Sequence, residues 1–377
     1  MKSKIWLSPP HMGGTEDKFV REAFETNWIA PLGPNVNGFE NDIAEYLGHG
    51  THAAVLISGT AAIHLGLILL GVGDGDEVMC QSMTFSASAN AIRYVNAVPV
   101  FVDSETDTWN MCPILLEEAI NSRLAAGKKP KAILPVHLYG MPAKIEEIVA
   151  IGTKYGIPVI EDAAESLGST VNGRSCGTFG KFGVLSFNGN KIITTSGGGA
   201  LVSQDVEMVN KARFLASQAR DEAPHYQHSQ VGYNYRLSNL CAGVGRGQME
   251  VLPLRLEARR ANFDFYVAHL GTLPGITFLH EPQGYLSNRW LTTMMVNPEI
   301  AGCNRETLRL AFEKENIESR PVWKPMHRQP VFESFPAYTN GVSDKLFQDG
   351  LCLPSGSSLS KIDLERICNV VFEVMGK

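Results

Sequence analysis

The stretch AAVLISGTAAIHLGLILL, residues 53–70, decides the class of the fold. Its first five residues are apolar and suit a buried strand, SGT supplies a turn, and residues 60–70 are apolar enough for a buried helix. A membrane-spanning helix needs about 20 apolar residues in one run, and the polar turn interrupts this stretch well before that length. The stretch therefore predicts one strand–turn–helix unit of an α/β fold.

The same alternation of strand and helix continues to residue 162. Further strands are predicted at 77–80, 98–103, 131–138 and 157–162, and further helices at 85–96, 113–126 and 143–156. Strands that alternate with helices favour a mostly parallel sheet with helices on both faces, and continuously apolar strands fit burial on both sides. We therefore predict a large α/β domain with a mostly parallel central sheet.

The pattern changes in the second half of the chain. A long helical pattern begins near residue 237, and from about residue 262 the elements become shorter and mixed. This shift predicts a large domain over 1–255 and a smaller C-terminal α+β domain over 256–377. The segment 1–40 is rich in Pro, Gly and Asn, and we expect it to wrap the surface.

Composition narrows the class of protein. The chain has 377 residues, 44% of them hydrophobic, and a formal net charge of −6, which argues against nucleic acid as the main partner. The seven cysteines form no C-x-x-C pair, so neither a disulfide framework nor a metal site is expected. The N-terminus lacks the apolar run of a signal peptide, and we therefore expect a cytoplasmic protein without a membrane span.

The turn SGTAA (58–62) is the first candidate for a ligand site. A Gly-Thr pair that opens a helix leaves backbone N–H groups and the positive end of the helix dipole facing outward, where a phosphate can bind. Taken alone, the pattern favours a helix that is simply capped by Ser58 or Thr60 over a phosphate site.

The segment EDAAESLGS (161–169) is the second candidate. Asp162 ends a strongly apolar strand, where a carboxylate has no packing role. An acid at that position could keep a pyridinium nitrogen protonated, or it could cap the segment that follows; both readings stay open.

The third candidate is LSFNGNKIITTSGGGALV (185–202). Lys191 lies in a tight loop rich in glycine and hydroxyl groups, a poor setting for an ordinary solvated lysine. The glycines would let a flat ring approach closely, and Ser186 and Thr195 could contact a phosphate. A fourth segment, VGYNYRLSNL (231–240), carries Asn234 and Arg236 but says little by itself.

The order of these segments is more specific than any one of them. A phosphate loop is followed about a hundred residues later by a strand-end Asp, and about thirty residues further by a glycine-flanked Lys. This is the chain order of fold type I enzymes that use pyridoxal phosphate (PLP).

The chain resembles the sugar aminotransferases of the DegT/DnrJ family. The resemblance runs from LSPPHMGG (7–14) to LCLPSG (351–356) and includes SGTAAIHL, EDAAESLG, SFNGNKIITTSGGGALV and GYNYRLSN. Three further variants, IAPLGP (29–34), FNGNKIITTSGGG and RPVWKPMH (320–327), resemble most closely the members of the UDP-bacillosamine pathway. Such enzymes transfer the amino group of L-glutamate to UDP-2-acetamido-2,6-dideoxy-4-keto-glucose.

The resemblance also implies a set of site residues. Lys191 matches the lysine that binds PLP as a Schiff base, Asp162 matches the acid at the pyridine nitrogen, and Phe85 matches the aromatic residue that stacks on the ring. The other implied cofactor contacts are Gly59, Thr60, Ala61, Glu165, Ser186 and, from the neighbouring subunit of a homodimer, Asn234. The implied contacts to the nucleotide sugar are Asn27, Trp28, Ile29, Asn188, Arg236, Lys324 and His327.

Glu165 departs from the commoner family pattern, which has Gln or His there. If it contacts the ring oxygen of the cofactor, two anions would be adjacent unless one holds a proton.

Other keto sugars, linked to dTDP or GDP or aminated at the 3-position, stay open as substrates. Lys191 disfavours the related dehydratases, which carry His there, and the presence of both Lys191 and Asp162 disfavours a non-catalytic relative.

Overall fold

The computed structural model describes residues 2–377. The helices are α1 (Glu16–Glu25), α2 (Pro34–Leu47), α3 (Gly59–Leu69), α4 (Ser86–Tyr94), α5 (Pro113–Ala125), α6 (Ile145–Tyr155), α7 (Val206–Ala216), α8 (Asn239–Leu270), α9 (Pro298–Ala301), α10 (Arg305–Lys314), α11 (Val342–Asp349) and α12 (Lys361–Met375). The strands are β1 (His52–Leu56), β2 (Glu77–Gln81), β3 (Val98–Val102), β4 (Ala132–Leu134), β5 (Ile160–Asp162), β6 (Thr170–Val171), β7 (Arg174–Ser175), β8 (Phe182–Ser186), β9 (Gly199–Ser203), β10 (Ile276–Phe278), β11 (Tyr285–Leu286), β12 (Thr292–Val296), β13 (Arg320–Pro321), β14 (Ala337–Tyr338) and β15 (Gly350–Leu353).

The central sheet carries the site at one edge. Strands β1, β9, β8 and β5 pair in that order, and β14, β3, β2 and β4 form the other half. Parallel bridges from Ile133 to Val159 and from Val136 to Asp162 join the halves between β4 and β5. Only β9 runs antiparallel to its neighbours within this sheet. The predicted α/β fold with a mostly parallel central sheet is confirmed.

The C-terminal part has its own antiparallel sheet, in the order β10, β12, β15 and β13. Its apolar core gathers residues from α8 to α12, among them Phe263, Phe312 and Ile367, and also takes in Ile5. Helix α8 runs without interruption across residue 255, so the division of the chain at 255/256 stays a prediction. The N-terminal segment 1–40 contains α1 and part of α2, both of which lie against α8.

The predicted strand 131–138 is shorter in the structure. Strand β4 ends at Leu134, because Pro135 has no N–H to donate to a ladder. The chain then bonds to the end of β5 through His137 N–H and the Asp162 carbonyl, 3.1 Å apart. It next turns at Tyr139, whose φ is 56°. This turn aims the Tyr139 N–H at the candidate site.

Within residues 2–377, no helix combines the length and the apolar character that a membrane crossing needs.

Glu161 ties β5 to the neighbouring segments of the chain through its carboxylate. Its side chain is fully buried, and one oxygen accepts the N–H groups of Phe179 and Gly180 at 2.6 and 2.7 Å. The other oxygen accepts the Gly177 N–H at 2.9 Å and faces His137 Nε2 at 3.0 Å. His137 Nδ1 accepts the Ala143 N–H, so its proton is on Nε2 and donates to Glu161. Four donors therefore converge on one carboxylate.

We expect Glu161→Gln to lower the free energy of unfolding by about 2–4 kcal/mol, because the amide NH₂ of glutamine would face buried donors. The matched control is Glu147→Gln on the exposed face of α6, which should change it by less than about 0.5 kcal/mol. Urea unfolding followed by circular dichroism measures both. Equal midpoints for the two variants would contradict this account of β5.

Candidate active site

A cavity of about 580 Å³ opens at the carboxyl ends of β1, β5 and β8. Ligands bind at this edge in open α/β sheets. Residues of the C-terminal part close its other side, so the walls come from both parts of the chain. Its polar and aromatic lining includes Ser58, Thr60, Thr84, Phe85, Asp162, Glu165, Ser186, Asn188, Asn190, Lys191, Trp290, Glu318, Arg320 and Trp323.

The N-terminus of α3 forms one wall. Ser58 caps the helix, and its hydroxyl accepts the Ala61 N–H at 3.0 Å. Gly59 and Thr60 line the cavity, and Ala61 lies behind them with its amide already bonded. A Cβ at Gly59 would lie 3.2 Å from the Ser186 Cβ, so glycine lets β8 approach closely. The first amides of a helix have no partner inside it, and this wall therefore suits an anion.

Asp162 lies on the floor of the cavity at the end of β5. One oxygen accepts the Ser88 hydroxyl at 2.7 Å and the other the Ala164 N–H at 3.2 Å. Burial raises the pKa of Asp162 above its ordinary value, and these two bonds oppose that shift. Ser88, on α4, gave no signal in the sequence, although it lies three residues after Phe85.

Lys191 reaches the cavity from the loop between β8 and β9. Its side chain is 12% exposed, and Nζ lies 3.1 Å from Glu165 Oε1. The same nitrogen lies 4.1 Å from the centre of the Trp290 ring, a cation–π distance. The lysine amine is thus held inside the protein by one carboxylate and one aromatic face.

Glu165 is as deeply buried as Asp162 and bonds differently. Its second oxygen, Oε2, accepts the Tyr139 N–H at 2.8 Å. Burial raises the pKa of Glu165 to about 7, with Lys191 as the largest opposing influence. The two acids of the cavity therefore have separate partners, a hydroxyl for Asp162 and an ammonium for Glu165.

The loop that precedes Lys191 is fixed by distant residues. The Asn190 carbonyl accepts the Ser8 hydroxyl and the Trp290 Nε1–H, both at 2.7 Å. Arg259, fully buried on α8, donates to Ser8 Oγ at 3.0 Å and to the Trp290 carbonyl at 2.5 Å. Sequence reasoning missed Ser8, Arg259 and Trp290, because no local pattern connects them to Lys191.

Several residues expected to contact the substrate lie outside this cavity, and so does Asn234, which is expected to reach the cofactor of the neighbouring subunit. Asn27, Trp28 and Ile29 form an exposed stretch. Arg236 pairs with Glu40 at 2.7 Å, His327 Nδ1 lies 2.7 Å from Ser82 Oγ, and Asn234 is exposed. Lys324 is also absent from the lining, whereas Asn188 is part of it. Thr195, suggested as a phosphate contact, instead donates its hydroxyl to the Gly197 carbonyl at 2.9 Å.

The elevated pKa of Glu165 makes folding stability depend on pH. An unfolded glutamate titrates near 4.5 and the folded one near 7, so the folded state binds more protons between these values. The free energy of unfolding should therefore fall as pH rises through this window, by on the order of 3 kcal/mol at most. In Glu165→Gln this contribution disappears, and the profile from pH 4.5 to 7 should flatten.

Thermal unfolding of the cofactor-free protein across this pH range tests the prediction. Glu147→Gln serves as the control and should keep the wild-type profile. A Glu165→Gln profile parallel to that of the wild type would show that Glu165 does not titrate in this window.

The family comparison covers nearly the whole chain. Residues 10–372 match the model of the DegT/DnrJ/EryC1/StrS aminotransferase family. The fold of this chain also superposes on a solved structure of a DegT/DnrJ/EryC1/StrS aminotransferase from Brucella abortus. The TM-score is 0.89 and the sequences are 31% identical, over 96% of each chain.

Curated relatives of similar length also match. EpsN of Bacillus subtilis (strain 168), which is named as a pyridoxal phosphate-dependent aminotransferase, is 54% identical over 99% of this chain and 96% of its own. The GDP-perosamine synthase of Escherichia coli O157:H7 is 35% identical, over 97% of this chain and 96% of its own. The UDP-N-acetyl-3-dehydro-α-D-glucosamine 3-aminotransferase of Acidithiobacillus ferrooxidans is 34% identical, over 90% and 88%.

The residues present fit pyridoxal phosphate. The group needs a primary amine, an acid for its ring nitrogen and donors for its phosphate. Lys191 supplies the amine, Asp162 is a buried acid on the cavity floor, and the start of α3 supplies backbone amides. The chain belongs to the DegT/DnrJ/EryC1/StrS family, and it is a pyridoxal phosphate-dependent aminotransferase.

Proposed function

We propose that this aminotransferase moves the amino group of L-glutamate to the 4-keto carbon of UDP-2-acetamido-2,6-dideoxy-4-keto-glucose. The observation that assigns the amino transfer to this cavity is the position of the Lys191 amine. It lies 3.1 Å from Glu165 Oε1 and 4.1 Å from the centre of the Trp290 ring, in a cavity that Asp162 also lines. A primary amine held away from bulk solvent, beside two acids with separate partners, suits covalent and acid–base chemistry.

Each residue has a defined task in this proposal. When bound, the cofactor supplies an electron sink for the carbon that loses its proton. Asp162 holds a proton at the ring nitrogen, and the amides of Gly59 and Thr60, with the Ser186 hydroxyl, bind the phosphate. Lys191 Nζ takes a proton from the carbon of the bound amino acid and later returns it, first as base and then as acid.

Glutamate and the keto sugar would use the same cavity in turn. In the part of the chain that the structure describes, Lys191 is the one lysine of the cavity lining, and both half-reactions need its amine, so the two substrates would react there one after the other. Two aromatic residues also line the cavity, Phe85 and Trp323, with their ring centres 5.6 Å apart. Aromatic faces suit the apolar side of a sugar ring. Arg320, an exposed residue of the lining that pairs with Glu318 at 3.0 Å, would have to exchange this partner to bind a carboxylate or diphosphate.

The choice of UDP and of the 4-position rests on segment resemblance. The segments 29–34, 187–199 and 320–327 carry it, and one relative acts on a UDP-linked sugar by its name. Another is named for GDP-perosamine, so a GDP-linked keto sugar is the alternative. A 3-keto or dTDP-linked sugar is a further alternative.

We also propose a homodimer with shared active sites, in the cytoplasm. Two apolar residues of the cavity lining are exposed to solvent in a single chain, Ile57 to 44% and Phe85 to 57%. The predicted substrate residues Asn27, Trp28 and Ile29 and the phosphate residue Asn234 are exposed as well. Burial of both sets in one interface would let each subunit complete the site of the other.

A visible spectrum during ordered additions tests the substrate. We expect L-glutamate to bleach the absorbance of the lysine-bound cofactor, and the UDP-linked 4-keto sugar to restore it. GDP- and dTDP-linked keto sugars serve as matched comparisons. Recovery with a GDP-linked sugar alone would overturn the proposed nucleotide but leave the aminotransferase intact.

Lys191→Ala should lower turnover by at least about 10³-fold, because both covalent binding and proton transfer are lost. The control is Lys181→Ala, at an exposed lysine that pairs with Asp205 at 2.7 Å, and its turnover should match the wild type. Steady-state kinetics with both substrates measures the two variants. Near-normal turnover in Lys191→Ala would remove the central residue of the proposal.

A further inference from the structure

We propose that Glu165 and Lys191 form a charge-compensated pair, in which Glu165 holds a proton whenever the lysine nitrogen carries no positive charge. The inference rests on the proposed covalent role of Lys191 and deepens it. Glu165 then stores the proton that Lys191 gives up, whereas Asp162 acts at the ring nitrogen of the cofactor.

The pair is isolated from other cations. Lys191 Nζ lies 3.1 Å from Glu165 Oε1, and the carboxylate is only 3% exposed. Among residues 2–377, Lys191 is the one basic group within salt-bridge distance of Glu165. The other titratable groups that act on this carboxyl or feel its charge are Asp162, Tyr139 and Cys352, and none of them is a cation.

Two neighbouring acids show why Glu165 depends on the lysine. Glu161 accepts three backbone N–H groups and the His137 Nε2–H, and Asp162 accepts a hydroxyl and an amide. Over residues 2–377, the Glu165 carboxylate has one hydrogen-bond donor apart from Lys191, the Tyr139 N–H. A buried carboxylate with one neutral donor is costly, whereas a carboxylic acid in the same place is not.

This environment determines the direction in which the pKa of Glu165 shifts. Burial raises the pKa of Glu165 to about 7 even while the ammonium beside it acts in the opposite sense. Removing that positive charge removes the largest opposing influence, so the pKa rises further. Glu165 is then protonated at pH values where the wild-type carboxylate is ionised.

The proton balance is complete within the site. When the Lys191 ammonium condenses with a carbonyl group, a C=N bond replaces the C=O bond, and water leaves with the oxygen and two of the three N–H protons. The third proton moves from nitrogen to Glu165 Oε1, where an O–H bond forms. No atom changes its oxidation state in this step. A protonated Glu165 can donate a hydrogen bond, and the cavity then no longer holds two negative charges side by side.

Infrared spectroscopy of the cofactor-free full-length chain at pH 8 tests the pair. The variants are Lys191→Met and Lys191→Gln, which remove the charge, and Lys191→Arg, which keeps it. The double variant Lys191→Met with Glu165→Gln assigns the signal. Circular dichroism checks that each variant is folded. If one of the two neutral variants does not fold, the other still tests the proposal.

We expect the neutral variants to show one additional protonated-carboxyl C=O stretch per chain. This band should be absent from the wild type, from Lys191→Arg and from the double variant. No added band in either neutral variant would overturn the proposal, and so would a band that survives Glu165→Gln, because the proton would then be on another acid. The measurement uses neither cofactor nor sugar, so a wrong substrate assignment leaves its outcome unchanged.

Discussion

A lysine ammonium inside a protein requires a counter-charge and a fixed position, because an unpaired buried charge costs several kcal/mol. Lys191 meets this requirement with the Glu165 carboxylate, 3.1 Å away, and the face of Trp290. Glu165 in turn depends on the Tyr139 amide, which the turn after β4 aims at it. The loop of Lys191 and the segments of Glu165, Trp290 and Tyr139 therefore meet around one ion pair that lines the cavity.

The loop that carries Lys191 is tied to the C-terminal part as well as to the sheet. The Asn190 carbonyl, next to Lys191, accepts from Trp290 and from Ser8, and the buried guanidinium of Arg259 holds both of these partners. Burial lowers the pKa of Arg259 to about 9, which reflects a charge surrounded by neutral acceptors. The amine is thus positioned only when the N-terminal segment, α8 and the C-terminal part are all folded together.

Sequence patterns predicted the parts of this site that are local. Apolar runs gave the strands, and Asp162 and Lys191 stood out because each is a charged residue where the neighbouring pattern is apolar or glycine-rich. The partners of these residues could not be predicted in the same way. Ser88 lies 74 positions before Asp162, and Ser8 lies 251 positions before Arg259, so only the folded chain brings them together. The same holds for Arg236, whose ion pair with Glu40 spans 196 positions.

The most direct test of the account asks where the cofactor is attached. Protein purified with pyridoxal phosphate is reduced with borohydride, which fixes the lysine–cofactor bond, and is then digested for peptide mass mapping. The account predicts one phosphopyridoxyl group per chain, on the peptide that contains Lys191, and none in Lys191→Arg. A label on another lysine, or equal labelling in Lys191→Arg, would contradict the assignment from which the rest of the mechanism follows.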